Sequence, residues 1–195
     1  MGWGARRWSQ GGEAPCHHGA LRLRADPADG FVRWFAVAVG RYEDVNAFLS
    51  PPMTVRSLVL STGVDLCAAR TPCRLLLSLR TIEDWYPASL EEISLNLWRG
   101  VEPVDAELVR LVQMLPKLRI FDFRGPVTRL DCVERLLDEA LNRHQNLSYL
   151  TLALQERITV QPIVNFRQEV ASLERKYLQP YKEKNIHLQL IVYKL

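Results

Sequence analysis

The feature that most restricts this chain is a six-residue pattern, apolar-x-x-apolar-x-apolar, written four times. It reads VRSLVL with Val55, Leu58 and Leu60, LEEISL with Leu90, Ile93 and Leu95, LRIFDF with Leu118, Phe121 and Phe123, and LSYLTL with Leu147, Leu150 and Leu152. The first apolar positions lie 35, 28 and 29 residues apart (55 to 90, 90 to 118, 118 to 147), the length of a strand-plus-helix repeat. Side chains of a strand alternate between its two faces, so the last two apolar residues of each copy point one way, while the first plugs the turn into the strand. A fifth apolar strand, IHLQLIVYKL, departs from the template and alternates through Ile186, Leu188, Leu190 and Val192.

Between the later copies the apolar period changes to that of a helix. In VDAELVRLVQML, residues Val104, Leu108, Leu111, Val112 and Leu115 form one face, and in LDCVERLLDEAL the face is Leu130, Val133, Leu136, Leu137 and Leu141. A third helix is predicted from about Val164 to Tyr181, with Val170, Leu173, Tyr177 and Leu178 facing inward. Helical spacing is also read in Phe31, Trp34, Phe35, Ala38 and Val39 and then Val45, Phe48 and Leu49, ending at Ser50-Pro51-Pro52. Residues 1–30, rich in Gly, Ala, Arg and His without a sustained period, are predicted to be a poorly ordered leader, and 31–195 a single domain.

A strand joined to the next by a crossover helix normally lies parallel and adjacent to it. The expected fold class is therefore α/β, a solenoid with parallel strands on one face and helices on the other. A doubly wound sheet shares the alternation, but its strands are apolar on both faces and carry a Gly-rich phosphate loop. Here the opposite strand positions are polar, and no such loop follows any strand. Those positions are the candidate partner-binding surface: Glu92, Ser94 and Asn96, then Ile120, Asp122 and Arg124, then Tyr149 and Thr151, with Ser57 and Val59 ahead of them. If the strands pair in register, Glu92, Ile120 and Tyr149 form one row and Ser94, Asp122 and Thr151 the next.

Other classes of function find little support. With 25 Lys and Arg against 22 Asp and Glu, the formal charge is +3 and no basic run marks a nucleic-acid footprint. Cys16, Cys67, Cys73 and Cys132 are irregularly spaced, which fits a reduced intracellular chain, cytoplasmic or nuclear. Cys16-His17-His18 offers three neighbouring ligands and no patterned fourth, so no metal site is expected. No apolar run reaches the roughly 20 residues of a membrane span, and no signal peptide is read. His144 and His187 are far apart in sequence, and no Ser or Cys sits in a nucleophile motif. The pairs Glu83-Asp84, Glu91-Glu92 and Asp138-Glu139 read as solvated faces. Neither catalysis nor a cofactor is expected. Trp98, following the second template strand, is a possible edge contact.

From Ser89 to Leu195 the segments SLEEISLNLW, VDAELVRLVQMLPKLRIFDF, NLSYLTLAL and LQPYKEKNIHLQLIV resemble the leucine-rich-repeat region of fungal F-box-like proteins of the basidiomycete kind. The likeness lies in the order: a helix opening near Val104-Asp105, then Leu115-Pro116-Lys117-Leu118-Arg119, then a closing helix through Leu178 and Pro180 into a last strand. It implies a protein-binding scaffold that recruits substrates to a ubiquitin ligase through a Skp1-type adaptor. The Asn or Cys that usually follows the template is replaced by Gly63, Trp98, Pro126 and Gln155, and the first fifty residues show no F-box. The expected function is a non-catalytic interaction scaffold. The alternative is a small α/β enzyme or nucleotide binder, with a polar pocket near Gly63, Arg99-Gly100, Gly125 and Gln155.

Overall fold

A computed structural model describes residues 22–26, 31–38, 54–61, 75–97, 103–156 and 165–193, the first two segments as backbone. Among these residues seven strands form one sheet in chain order: β1 (Arg22–Asp26), β2 (Phe31–Ala38), β3 (Ser57–Ser61), β4 (Glu92–Asn96), β5 (Ile120–Val127), β6 (Tyr149–Glu156) and β7 (His187–Val192). β1 is antiparallel to β2, and the five strands β3 to β7 are all parallel. Among the described residues four helices connect β3 to β7: α1 (Leu75–Trp85), α2 (Asp105–Met114), α3 (Leu130–Arg143) and α4 (Phe166–Glu183). Each crossover advances by one strand in the same direction. With a constant hand this places every helix on the same face, and α1 packs on α2, α2 on α3 and α3 on α4 as one layer.

The register explains the repeated pattern. Leu58, Ile93, Phe121, Leu150 and Leu188 are consecutive partners across the sheet, as are Leu60, Leu95, Phe123, Leu152 and Leu190, and all ten are buried. The first template residues, Val55, Leu90, Leu118 and Leu147, are buried below them. Polar backbone at the strand starts is satisfied by a repeating bond. The Arg56 carbonyl accepts the N–H groups of Glu91 and Glu92, that of Glu91 those of Arg119 and Ile120, and that of Arg119 those of Ser148 and Tyr149. Each copy of the pattern thus docks on the one before it.

Helix burial follows the 3.6-residue period. Leu108, Leu111 and Val112 of α2 and Val133, Leu136 and Leu137 of α3 are buried, with Leu130 and Leu141 packed at the margin. In α4 the buried residues are Phe166, Val170, Tyr177 and Tyr181, with Leu173 partly buried. Leu178, expected to face inward, is 51% exposed. It lies about 100° round the helix from Tyr177, and Tyr181 takes the inward place by donating from its hydroxyl to the Leu137 carbonyl at 2.7 Å. The helix closes on Asn185 at φ 57. The N–H of Asn185 reaches the Lys182 carbonyl and that of Ile186 the Tyr181 carbonyl, the paired bonds of a Schellman turn.

Two segments depart from the sequence expectation. Phe31–Ala38 is a strand, not a helix. Its aromatic and β-branched residues suit a strand, and a short apolar run satisfies helical and alternating spacing alike. Val45, Phe48 and Leu49 lie outside the described residues. β1 falls inside the segment read as a leader; residues 1–21 also lie outside the described set. Helix α1 was not anticipated, although Leu75, Leu79, Ile82 and Tyr86 recur at helical spacing and are buried.

Leu150 lies inside one buried row, between Phe121 and Leu188. Leu150→Ala is expected to cost about 2–5 kcal/mol from lost transfer energy and the cavity left behind. Chemical denaturation checks this, and an unchanged midpoint would contradict the placement of the row.

Candidate functional site

The face of the parallel sheet opposite the helices carries the polar alternates of each strand. Because the strands are in register, these side chains form straight rows. Ser57, Glu92, Ile120, Tyr149 and His187 make the first, and Val59, Ser94, Asp122, Thr151 and Gln189 the second. A third row joins Ser61, Asn96, Arg124, Ala153 and Ile191. All eight sequence-predicted partner residues fall in these rows, and the two expected row pairings are present. Tyr149 is 52% exposed, and its ring lies 5.6 Å from that of His187.

Asp122 occupies the middle of the surface. The Ser94 hydroxyl donates to its Oδ2 at 3.2 Å, and Arg124 Nε lies 3.6 Å from the same oxygen. Among the described residues Oδ1 has no partner, and it is shielded from solvent. The carboxylate is therefore oriented by its neighbours while one of its two oxygens accepts no hydrogen bond, a state that a donor arriving on this face can relieve after rotation of the carboxyl group. Beyond it, burial pushes the Tyr193 hydroxyl above its ordinary pKa, and the nearby Arg124 opposes that rise. At the strand starts Glu91 lies between Arg56 at 3.7 Å and Arg119 at 3.6 Å. Serine, carboxylate, guanidinium, tyrosine and imidazole thus share one surface and offer a set of directional contacts.

The carboxyl ends of the strands have a different character. Gly63 and Arg99-Gly100 lie outside the described residues. Gly125 is a packing position, because a Cβ there would meet Leu97 Cβ and Phe123 Cζ at 3.0 Å. Pro126 and Gln155, at places where the usual repeat carries Asn or Cys, are instead paired across extended strands. A cavity of about 10 Å³ under the helices, between Phe123, Cys132 and Leu152, has room for at most one water molecule.

Four chemistry-bearing residues have structural positions that the sequence did not reveal. Asp105 is buried at the start of α2, where Oδ1 accepts the N–H groups of Thr128 and Arg129 and Oδ2 accepts the Thr128 hydroxyl. It caps the turn that opens α3 from another helix. Glu83, expected on a solvated face, is fully buried, with Arg110 Nε 2.6 Å from its Oε2. Burial raises its pKa and Arg110 partly offsets this. His144 is buried, with its Nε2 against the Val112 carbonyl. That atom must carry the proton, leaving Nδ1 without a partner among the described residues. Cys132 is buried and has no disulfide partner among the described residues, its thiol pushed up in pKa by burial. Cys16-His17-His18 and Trp98 lie outside the described residues, among which no group of three or more metal-binding side chains occurs. No described helix is long and apolar enough to cross a membrane.

Burial lowers the His144 pKa from its ordinary 6.5, helped by Arg143 and opposed by the Val112 hydrogen bond and Glu139. Below its ordinary value the unfolded chain binds the proton more readily than the folded one. Its stabilising contribution is therefore present above that value and is lost as pH falls through it toward the folded value. Glu83 has the opposite sign: its raised pKa favours the folded state at low pH and that contribution is lost as pH rises through the folded value. Exchange of His144 isolates its own slope. His144→Gln keeps a donor for Val112 and removes the titration, so melting temperature from pH 7 to 5 should fall less steeply than in the parent. Parallel profiles would contradict the buried neutral imidazole.

No family model matches the chain, and neither does any curated protein or solved structure.

Proposed function

We propose that this chain is a non-catalytic protein-interaction module, a leucine-rich-repeat-type solenoid whose open strand face binds a polypeptide partner. The observation that supports this most is the alignment of the second row. Ser94, Asp122 and Thr151 stand side by side on one rigid sheet, next to an exposed Tyr149. Parallel strands in chain order with helices in one layer are the arrangement a solenoid requires, since each unit then buries its apolar side against the next. Ordered, closely spaced side chains on such a surface contribute recognition without a large entropy cost on binding.

Within this reading Glu92, Ser94, Asn96, Ile120, Asp122, Arg124, Tyr149 and Thr151 form the contact surface, with Tyr149 as the aromatic anchor. The resemblance to fungal F-box-like proteins extends the proposal to a substrate-recruiting role in a ubiquitin ligase, with a Skp1-type adaptor as second partner. That extension rests on the resemblance alone, and co-purification with Skp1 from the native host is its readout.

Asp122→Ala with Tyr149→Ala tests the surface itself. Truncating a centrally placed aromatic and its neighbouring carboxylate is expected to weaken partner capture by more than about 1–2 kcal/mol for each residue, with the unfolding midpoint little changed because both side chains contribute mainly at the surface. Equal recovery of the partner by mutant and parent would remove the open face as the binding site.

A further inference from the structure

The β7 end of the sheet is chemically unlike an edge protected against association. Among the described residues β7 has one neighbour, β6. Its six residues, HLQLIV, include no Lys, Arg, Asp, Glu or Pro, the residues that commonly blunt an edge. The His187 N–H is directed to the Ser148 carbonyl of the neighbouring segment. By strand alternation His187, Gln189 and Ile191 direct their backbone groups to β6, and Leu188, Leu190 and Val192 direct theirs to the free edge.

Helix α4 presents a matching side at the same end. Its α3-facing side is marked by Lys176 on Glu134, Tyr177 on Asp138 and Tyr181 on the Leu137 carbonyl. Ala171, Glu174, Leu178 and Lys182 are spaced by three and four residues and so form a stripe on the side away from α3. Leu178, half exposed, is at its centre. Glu174 and Lys182 stand four residues before and after it.

We propose that this end is an isologous interface for a second copy of the chain, with the two β7 strands antiparallel about a twofold axis at Gln189. That axis places Leu188 opposite the partner's Leu190, and both residues have edge-directed backbone groups, as a hydrogen-bonded antiparallel pair requires. It places His187 opposite the partner's Ile191, so no like charges meet. Gln189 is two residues into β7, about 6.6 Å along the strand, and Leu178 is five residues before the end of α4, about 7.5 Å along the helix. The tight turn at Asn185 brings these two levels together, so the same axis passes near Leu178 and sets Glu174 beside the partner's Lys182, twice. Strand polarity, side-chain pairing and helix charge thus agree on one symmetry operation.

Sedimentation velocity from micromolar to millimolar chain tests the interface. The expected result is a reversible step to twice the monomer mass. Glu174→Lys and Lys182→Glu should each weaken it by about tenfold or more through like-charge contacts, and the double exchange Glu174→Lys/Lys182→Glu should restore it, with unchanged circular dichroism throughout. A monomer at every concentration would overturn the proposal, as would assembly beyond two copies or a dimer indifferent to these exchanges. Slow hydrogen exchange at Leu188 and Leu190 in a monomer would overturn it too, because the edge would then be covered by the chain's own residues.

Discussion

The stacking of one apolar pattern on its next copy is the constraint from which the other features follow. Two five-membered rows, Leu58 to Leu188 and Leu60 to Leu190, occupy the same depth in every parallel strand. Their side chains cannot be buried by a single unit, since one strand and one helix leave apolar surface wet until a neighbour covers it. Repetition solves this by letting each unit cover the last. The carbonyls of Arg56, Glu91 and Arg119, each accepting two N–H groups from the following segment, hold the strand starts level while it happens. A one-residue slip would turn every buried Leu and Phe to the open face, so the register is strongly specified.

Once the register is set, the opposite face is set with it. Positions free of the packing requirement become aligned rows whose chemistry can vary, and that is where Asp122, Tyr149 and Arg124 stand. The helix layer has its own long-range ties: Asp105 of α2 caps the start of α3, and His144 after α3 returns to the Val112 carbonyl of α2. These buried polar links make the helices report on one another's position. His144, whose pKa is lowered by burial, lies in this layer, away from the proposed binding face.

Much of this was legible in the sequence because periodicity and burial share one cause. The template marked ten of the buried strand and turn positions from Leu58 to Leu152, together with Val55 and Leu147, and the alternate residues predicted the rows on the open face. Legibility ended where two periods coincide or where burial depends on a distant partner. FVRWFAVA satisfies helical and strand spacing at once and forms β2. Glu83 looked like half of a solvated acidic pair, yet Arg110 of the next helix lets it be buried. Leu178 fits the inward period of α4 but yields to Tyr181, whose hydroxyl requires a carbonyl that only α3 supplies. No local pattern encodes such a partner.

In the proposed function, recognition belongs to the strand face and not to the helix layer. Hydroxyl-radical footprinting of the chain with and without its captured partner measures this residue by residue. Protection at Tyr149, Ile120 and His187, with exposed helix residues such as Leu77 and Met114 labelled equally in both states, is the predicted result. Protection of Leu77 and Met114, with Tyr149 labelled as in the free chain, would contradict it.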